Sequence, residues 1–180
     1  MKNPWGEGTP WPKQVNFFTY LRGCLRKAWS NNPIKLQVLK SKRKQIVNPN
    51  PKGKKPMVWG FDCEMCGGTF AISDGQVDHI HPAGTLKEKE DIQGFVERLL
   101  FVTEDDLRLV CKGCNNALAM SDKTKRSYEE CLNDKQAIAI QKVKGGDGKW
   151  LEARGIVPGK NAKIRKQQII DKLKEEMNNA

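Results

Sequence analysis

Two Cys-x-x-Cys pairs constrain this chain more than any other feature. Cys63 and Cys66 form the first pair, Cys111 and Cys114 form the second, and 44 residues lie between Cys66 and Cys111. A Cys-x-x-Cys turn directs two thiolates at one point, and two such turns supply the four ligands of tetrahedral zinc. A site closed by four cysteines has no open position for a substrate. The spacing therefore predicts a structural zinc ion that stabilises the fold.

The compartment follows from the termini and the hydropathy. The first residues, MKNPWGEGTPWPKQ, lack the apolar segment of a secretion signal. No apolar run approaches the roughly 20 residues that a membrane span needs. We therefore expect a cytoplasmic protein with no membrane partner, in which cysteines serve as thiols or metal ligands. Cys24 and Cys131, which fall outside the two pairs, are expected to be packed thiols.

The positive charge of the chain is concentrated in its first third. The net charge is +11, yet residues 1–56 hold 13 Lys and Arg against one acid, Glu7, while residues 57–180 hold 19 Lys and Arg against 20 Asp and Glu. A solvated basic surface is the ordinary explanation for such a region. A charge this one-sided beside a near-neutral body favours instead a polyphosphate partner, and nucleic acid above all.

The pattern of apolar residues, prolines and glycines predicts how the chain is divided. Apolar residues at helical spacing predict an amphipathic helix over residues 14–32, followed by a second helix over residues 34–47. The stretch NPNPKGKKP has three prolines and reads as an extended linker. The predicted organisation is a basic helical DNA-binding extension (1–47), a linker (48–56), a central domain (57–143) and a C-terminal helical extension (144–180).

Both histidines of the chain lie in one short stretch, beside an acid. His79 follows Asp78, and His81 comes two residues later. If zinc joins the two knuckles, Asn115 approaches the strand end that carries Asp78. Carboxylate and amide oxygens suit a hard cation such as Mg²⁺, and a neutral imidazole beside them can take a proton from an attacking water. His81 is expected to be a phosphate contact or a bystander.

The order of these motifs is similar to that of a known family. A Cys-x-x-Cys, then VDHIHP, then LRLVCKGCN resembles the zinc-knuckle branch of the HNH endonucleases, in the His-Me finger (ββα-metal) superfamily, and especially small phage-encoded HNH proteins. The likeness covers about Trp59 to Lys123. It implies an α+β fold in which a zinc site of four cysteines staples a ββα-metal core, with helical N- and C-terminal extensions, and it makes 57–143 an HNH nuclease domain.

The resemblance also implies roles for individual residues. His79 matches the general base that activates water, while Asp78 and Asn115 match the protein ligands of a catalytic Mg²⁺ or Mn²⁺. A one-residue slip would put Asn116 in place of Asn115. The main departure is Asp106, which stands where the family has an asparagine that holds the loop and the catalytic histidine. Its charge is expected to raise the pKa of His79 and to move activity to higher pH.

The implied activity is metal-dependent hydrolysis of DNA phosphodiester bonds, by nicking or by double-strand cleavage, in the cytoplasm of a phage-infected bacterial host. The partner would be double-stranded DNA. Basic residues of the N-terminal helices and of the segment after the second cysteine pair are the candidates to hold its phosphates. These residues are Lys35, Lys40, Lys42, Arg43, Lys44, Lys112, Lys123, Lys125 and Arg126.

Two other functions stay open at this level. A DNA-binding accessory protein that kept the fold and lost cleavage is favoured by Asp106 and by the doubled asparagine at 115–116. A structural zinc protein that binds another protein is disfavoured by the basic first third. The tryptophans Trp5, Trp11 and Trp29 would stack on bases or, as is more common on a helix face, belong to the core.

Overall fold

The computed structural model describes residues 2–50 and 52–179. Its elements form a mixed α+β chain that divides into two compact units, Met1–Cys111 and Lys112–Ala180. The division therefore falls inside the range 57–143 that was expected to be one domain. None of the helices in the described ranges has both the length and the hydropathy needed to cross a bilayer.

The first unit contains three helices and five strands within its described residues. The helices are α1 (Gln14–Ser30), α2 (Pro33–Ser41) and α3 (Asp91–Leu100). The strands are β1 (Lys44–Val47), β2 (Met57–Asp62), β3 (Thr69–Ala71), β4 (Gly75–His79) and β5 (Leu107–Cys111). Short 3-10 turns at Ile72–Asp74 and Glu104–Asp106 precede β4 and β5.

The first predicted helix is confirmed as α1. Its buried residues, Phe18 and Trp29, lie on the apolar stripe that the periodicity indicated. The next helix begins directly afterwards, because the side chain of Asn32 accepts a hydrogen bond from the amide of Ile34 at 2.9 Å and Pro33 occupies the first helical position.

The second predicted helix is wrong in its second half. It ends at Ser41, and Lys44–Val47 form β1, which pairs antiparallel with β2 from Lys44↔Gly60 to Val47↔Met57. The segment 48–56 was expected to be a linker between domains; its described residues, 48–50 and 52–56, lie instead between the two paired strands of a β-hairpin, and Pro51 lies outside the described residues. The local sequence predicted a helix because its lysines favour one, but pairing with the non-local β2 decides the outcome.

Aromatic residues before α1 form a cluster against its first turns. The ring of Trp5 lies 5.6 Å from Phe17 and 5.5 Å from Phe18, and the ring of Trp11 lies 5.2 Å from Phe17 and 5.2 Å from Tyr20. Trp5 and Trp11 therefore pack against the chain itself, as the core interpretation predicted.

Two small antiparallel sheets complete the first unit. One has the order β1-β2-β3, and the other pairs β4 with β5 from Gly75↔Cys111 to His79↔Leu107. The core around them is formed by Phe61, Phe95, Leu99, Leu109 and Val110, all at most 2% exposed. The register places Asp78 opposite Arg108, at the end of the sheet that also carries His79.

The second unit is helical in its described residues. It consists of α4 (Lys112–Thr124), α5 (Tyr128–Lys142), α6 (Gly146–Glu152) and α7 (Ala162–Asn178), with a core of Ala137, Leu151 and Ile169. A buried acid, Asp134, holds two of these elements together. It accepts a hydrogen bond from Arg126, and Lys166 lies 2.8 Å from its other carboxylate oxygen.

Candidate functional site

The two Cys-x-x-Cys pairs meet as predicted. The Sγ atoms of Cys63, Cys66, Cys111 and Cys114 all lie within 4.8 Å of one another, and three of these side chains are buried while Cys66 is exposed. Zn–S bonds of about 2.3 Å would place tetrahedral sulfurs about 3.8 Å apart. The four thiols could therefore hold a zinc ion after only a small contraction.

Backbone hydrogen bonds shape the first knuckle. The carbonyl of Cys63 accepts a bond from the amide of Gly67 at 2.8 Å, and Gly67 has the positive φ of +69° that this turn requires. Burial raises the pKa of the Cys63 thiol, but hydrogen bonds from the amides of Cys111, Cys66 and Met65, with one from the Cys66 side chain, lower the pKa to about 7. The thiolate, which is the form that binds metal, is thus accessible near neutral pH.

The second knuckle joins a strand to a helix. Cys111 is the last residue of β5 and α4 begins at the next residue, so Cys114 and Asn115 lie in the first turn of α4. The hydroxyl of Tyr128 donates to Cys114 Sγ at 3.1 Å. Asn115 is half-buried and Asn116 is exposed, which makes Asn115 the better candidate for a ligand position.

His79 is held by contacts on two sides. Its Nε2 lies 3.1 Å from the carbonyl oxygen of Leu99, and its ring centroid lies 4.2 Å from that of Trp29. A carbonyl oxygen can only accept, so Nε2 carries the hydrogen and Nδ1 is the basic nitrogen. Sequence reasoning missed the Trp29 contact, since it joins residues 50 positions apart. His81, by contrast, is exposed.

The environment of His79 favours the neutral imidazole. Burial is the largest cause and lowers the pKa of His79, and the charge of Arg26 lowers it as well. The hydrogen bond to Leu99 and the charges of Asp78 and Asp106 raise the pKa, but the net shift is downward. The expected direction of the Asp106 effect is therefore confirmed, since its charge does raise the pKa of His79, but burial is the largest cause and lowers the net pKa.

Asp106 holds the turn that precedes β5. Its Oδ2 accepts bonds from the amide of Thr103 at 2.7 Å and from the Thr103 hydroxyl at 2.8 Å, and these bonds lower the pKa of Asp106. Its backbone carbonyl accepts a bond from the amide of Ile80 at 2.9 Å. Asp106 thus fixes the loop beside His79 through local bonds.

Asp78 has an ionic partner that sequence reasoning did not weigh. Arg108 donates from Nε at 3.1 Å and from Nη2 at 2.9 Å, and both bonds go to Oδ2 of Asp78. The side chains of Asp78 and Arg108 are 24% and 19% exposed. The other carboxylate oxygen, Oδ1, receives neither of these bonds, and Arg108 neutralises part of the charge of Asp78.

Two of the basic residues expected to bind DNA in the first unit are engaged in ion pairs. Lys42 Nζ lies 2.8 Å from Glu64, and Lys44 Nζ bonds Asp62. These pairs neutralise positive charge where the hairpin joins the first knuckle. Such partly exposed pairs are weak, so they reduce the attraction for phosphate without abolishing it.

The other expected contacts of the first unit differ from one another. Lys35 Nζ lies 5.6 Å above the ring of Trp29, and the guanidinium of Arg43 lies 4.3 Å above the ring of Trp59. Lys40 is exposed. These three side chains present positive charge at the surface, and their contact with DNA stays a prediction.

The expected contacts of the second unit divide in the same way. Lys112, Lys123 and Lys125 are exposed. Arg126 instead bonds the buried Asp134 and lies 3.5 Å from Glu130, and the hydrogen bond to Asp134 raises the pKa of Arg126. Arg126 therefore has a structural partner that makes it a poor candidate for a phosphate contact.

Comparison with known proteins adds no assignment: no family model, curated protein or solved structure matches the chain. The candidate site is therefore defined by its own geometry, which is a four-cysteine group able to hold a metal and, at the end of β4, an imidazole held by Leu99 and Trp29.

Proposed function

We propose that this chain is a metal-dependent DNA endonuclease with His79 as its general base. The observation that carries the proposal is the orientation of His79. Leu99 fixes the protonated nitrogen, Trp29 fixes the ring, and the unprotonated Nδ1 is left to accept a proton. The lowered pKa of His79 keeps the imidazole in the neutral form that a base needs at neutral pH.

The order of elements supports the same proposal. β4 ends at His79, β5 returns antiparallel to it, and α4 starts directly after β5 with Asn115 in its first turn. Two antiparallel strands followed by a helix is the order of a ββα-metal core, and the resemblance to HNH endonucleases assigns the base, the carboxylate and the amide to these positions.

Asp78 and Asn115 would hold the catalytic cation. Their oxygen donors fit Mg²⁺ or Mn²⁺, which take carboxylate and carbonyl oxygens together with water and phosphate. When bound, such an ion would stabilise the negative charge that builds on the scissile phosphate. His79 would take the proton from the attacking water, and Leu99 and Trp29 would hold the ring in place while it does so.

A supercoiled-plasmid assay tests the proposal. We expect conversion of the plasmid to nicked or linear forms with Mg²⁺ or Mn²⁺, no conversion without them, and loss of conversion in His79→Ala but not in the exposed His81→Ala. Retarded but intact plasmid would support a DNA-binding accessory protein instead. A plasmid that is neither cleaved nor retarded would favour the protein-binding alternative.

One observation favours the accessory protein as the second candidate. Arg108 supplies Asp78 with a positive partner from within the protein itself. A carboxylate satisfied in this way has less need of a metal, so a chain that had lost catalysis would tolerate this pair well.

The Asp78–Arg108 pair gives a prediction that does not depend on cleavage. Arg108→Gln is expected to tighten Mn²⁺ binding by up to about fivefold, because a cation at Asp78 no longer competes with a pair worth at most about 1 kcal/mol. Titration of the zinc-loaded chain followed by electron paramagnetic resonance measures the affinity. Lys42→Gln, which removes the same charge from the Glu64 pair, is the control. Unchanged or weaker Mn²⁺ binding in Arg108→Gln would contradict the competition.

A further inference from the structure

Positive charge is concentrated in the segment that runs from the end of α2 through β1 and the loop of the β1–β2 hairpin. Residues 40–56 hold seven Lys and Arg and no acid. Lys42 and Lys44, at the base of the hairpin, bond Glu64 and Asp62. Within the described residues the loop lysines have no ion-pair partner. They are Lys52, Lys54 and Lys55, all exposed. The unneutralised charge of the hairpin is thus concentrated at its tip.

Hydrogen bonds order the loop that carries these lysines. The Asn48 amide donates to Pro56 O at 2.9 Å, and its side chain donates to Lys55 O at 2.8 Å. The Asn48 side chain also accepts from Asn50 N at 2.9 Å, and the Asn50 side chain accepts from Lys52 N at 3.0 Å. The loop therefore presents its charges from a bonded turn, which lowers the entropy lost when they bind.

An exposed aromatic–cation pair lies farther down the same hairpin. Trp59 is 43% exposed, and Arg43 covers its ring at 4.3 Å. Gln45 is the register partner of Trp59 and is also exposed. Side chains of this kind, with a guanidinium and an amide beside an aromatic face, contact base edges and sugars in nucleic-acid grooves.

We propose that the β1–β2 hairpin is a DNA-binding element that enters the major groove of duplex DNA. This inference rests on the proposed function, since it names how that enzyme would hold its substrate. The major groove of B-DNA, about 12 Å wide, admits a two-stranded β-ribbon, and the hairpin is two-stranded on the loop side of Gly60, where the pairing of β2 with β3 begins. The three tip lysines contact phosphates along the groove, and the Arg43–Trp59 pair lies against its wall. The deep, narrow major groove of duplex RNA does not admit such a ribbon.

Binding of a fluorescent DNA duplex, followed by anisotropy without added Mg²⁺ or Mn²⁺, tests the hairpin apart from cleavage. The zinc-loaded full chain is compared with the triple variant Lys52→Ala, Lys54→Ala, Lys55→Ala. We expect at least about tenfold weaker binding, and a salt slope of log K smaller by about 3, because each phosphate contact contributes about 0.9 to that slope. The matched control removes three exposed lysines of the second unit, by Lys160→Ala, Lys163→Ala and Lys174→Ala.

The outcomes separate this inference from the nuclease proposal. Equal losses of duplex affinity in the two triple variants would show that only the total charge matters and would contradict the hairpin as the binding element. An unchanged salt slope, or duplex RNA that competes as well as DNA, would also contradict it. Plasmid cleavage with no hairpin effect would leave the endonuclease standing and remove this inference. Duplex binding that depends on the hairpin lysines, without plasmid cleavage, would support the hairpin inference and contradict the endonuclease proposal. The single variant Trp59→Ala is also expected to weaken duplex binding relative to wild type. Because it removes no charge, the salt slope should stay unchanged.

Discussion

Cys111→Ser is expected to abolish the cooperative folding of the first unit. Cys111 is 6% exposed, its amide donates to Cys63 Sγ at 3.2 Å, and it ends the strand that pairs with β4. Structural zinc supplies about 10–16 kcal/mol of apparent binding energy in small zinc domains. That figure matches or exceeds the whole stability of about 5–15 kcal/mol of an ordinary domain. Loss of one of four ligands therefore removes most of what stabilises these short strands.

Metal analysis and thermal unfolding measure this effect. The wild-type chain is expected to carry one zinc per molecule and to lose its cooperative melt when a strong chelator is added. Cys24→Ser should keep both properties, because Cys24 is exposed and the expectation that it is a packed thiol was wrong. A purified chain that holds no zinc and melts cooperatively in chelator would show that the four thiols are only packed together.

The parts of the fold that sequence predicts are those with fixed local geometry. The Cys-x-x-Cys spacing specifies two ligands within four residues, so the sulfur cluster followed from the pattern. The period of 3.6 residues specified α1. β1 was missed because four residues, KQIV, carry too weak a pattern to outweigh their helix-favouring neighbours. Its pairing with β2 across nine residues is a tertiary event.

The candidate site divides in the same way. The neighbours Asp78 and His79 were evident from the motif. Arg108 and Trp29 were not, because the first reaches Asp78 through the β4–β5 register and the second reaches His79 through the docking of α1. Both contacts alter the chemistry of the motif residues, one by charge and one by burial, and neither can be read without knowing which elements pack together.

His79→Ala is expected to lower the rate of plasmid cleavage by about 10²–10⁴-fold, the usual contribution of a positioned general base. Because Nε2 is bonded to Leu99, the loss comes from the missing Nδ1 and not from a binding contact, so duplex affinity should stay unchanged. A cleavage rate that is unchanged in His79→Ala would mean that another residue acts as the general base. Equal losses of rate and duplex affinity would instead indicate a structural role for His79.

The acid side of the pH–rate profile reports the packing of this imidazole. The neutral form accepts the proton, so the cleavage rate falls as pH drops through the pKa of His79. Because burial lowers that pKa, we expect activity to persist below pH 6.5, the ordinary pKa of histidine.

Trp29→Ala removes the ring that buries His79, so the pKa of His79 rises and the acid limb of the pH–rate profile moves to higher pH. Trp29→Phe is expected to keep this limb near its wild-type position. Trp150→Ala, in the second unit, is the control for a lost tryptophan. If the limb moved equally in Trp29→Ala and Trp150→Ala, or in neither, the group that titrates would not be the imidazole packed on Trp29. That result would contradict the assignment of His79 as the base.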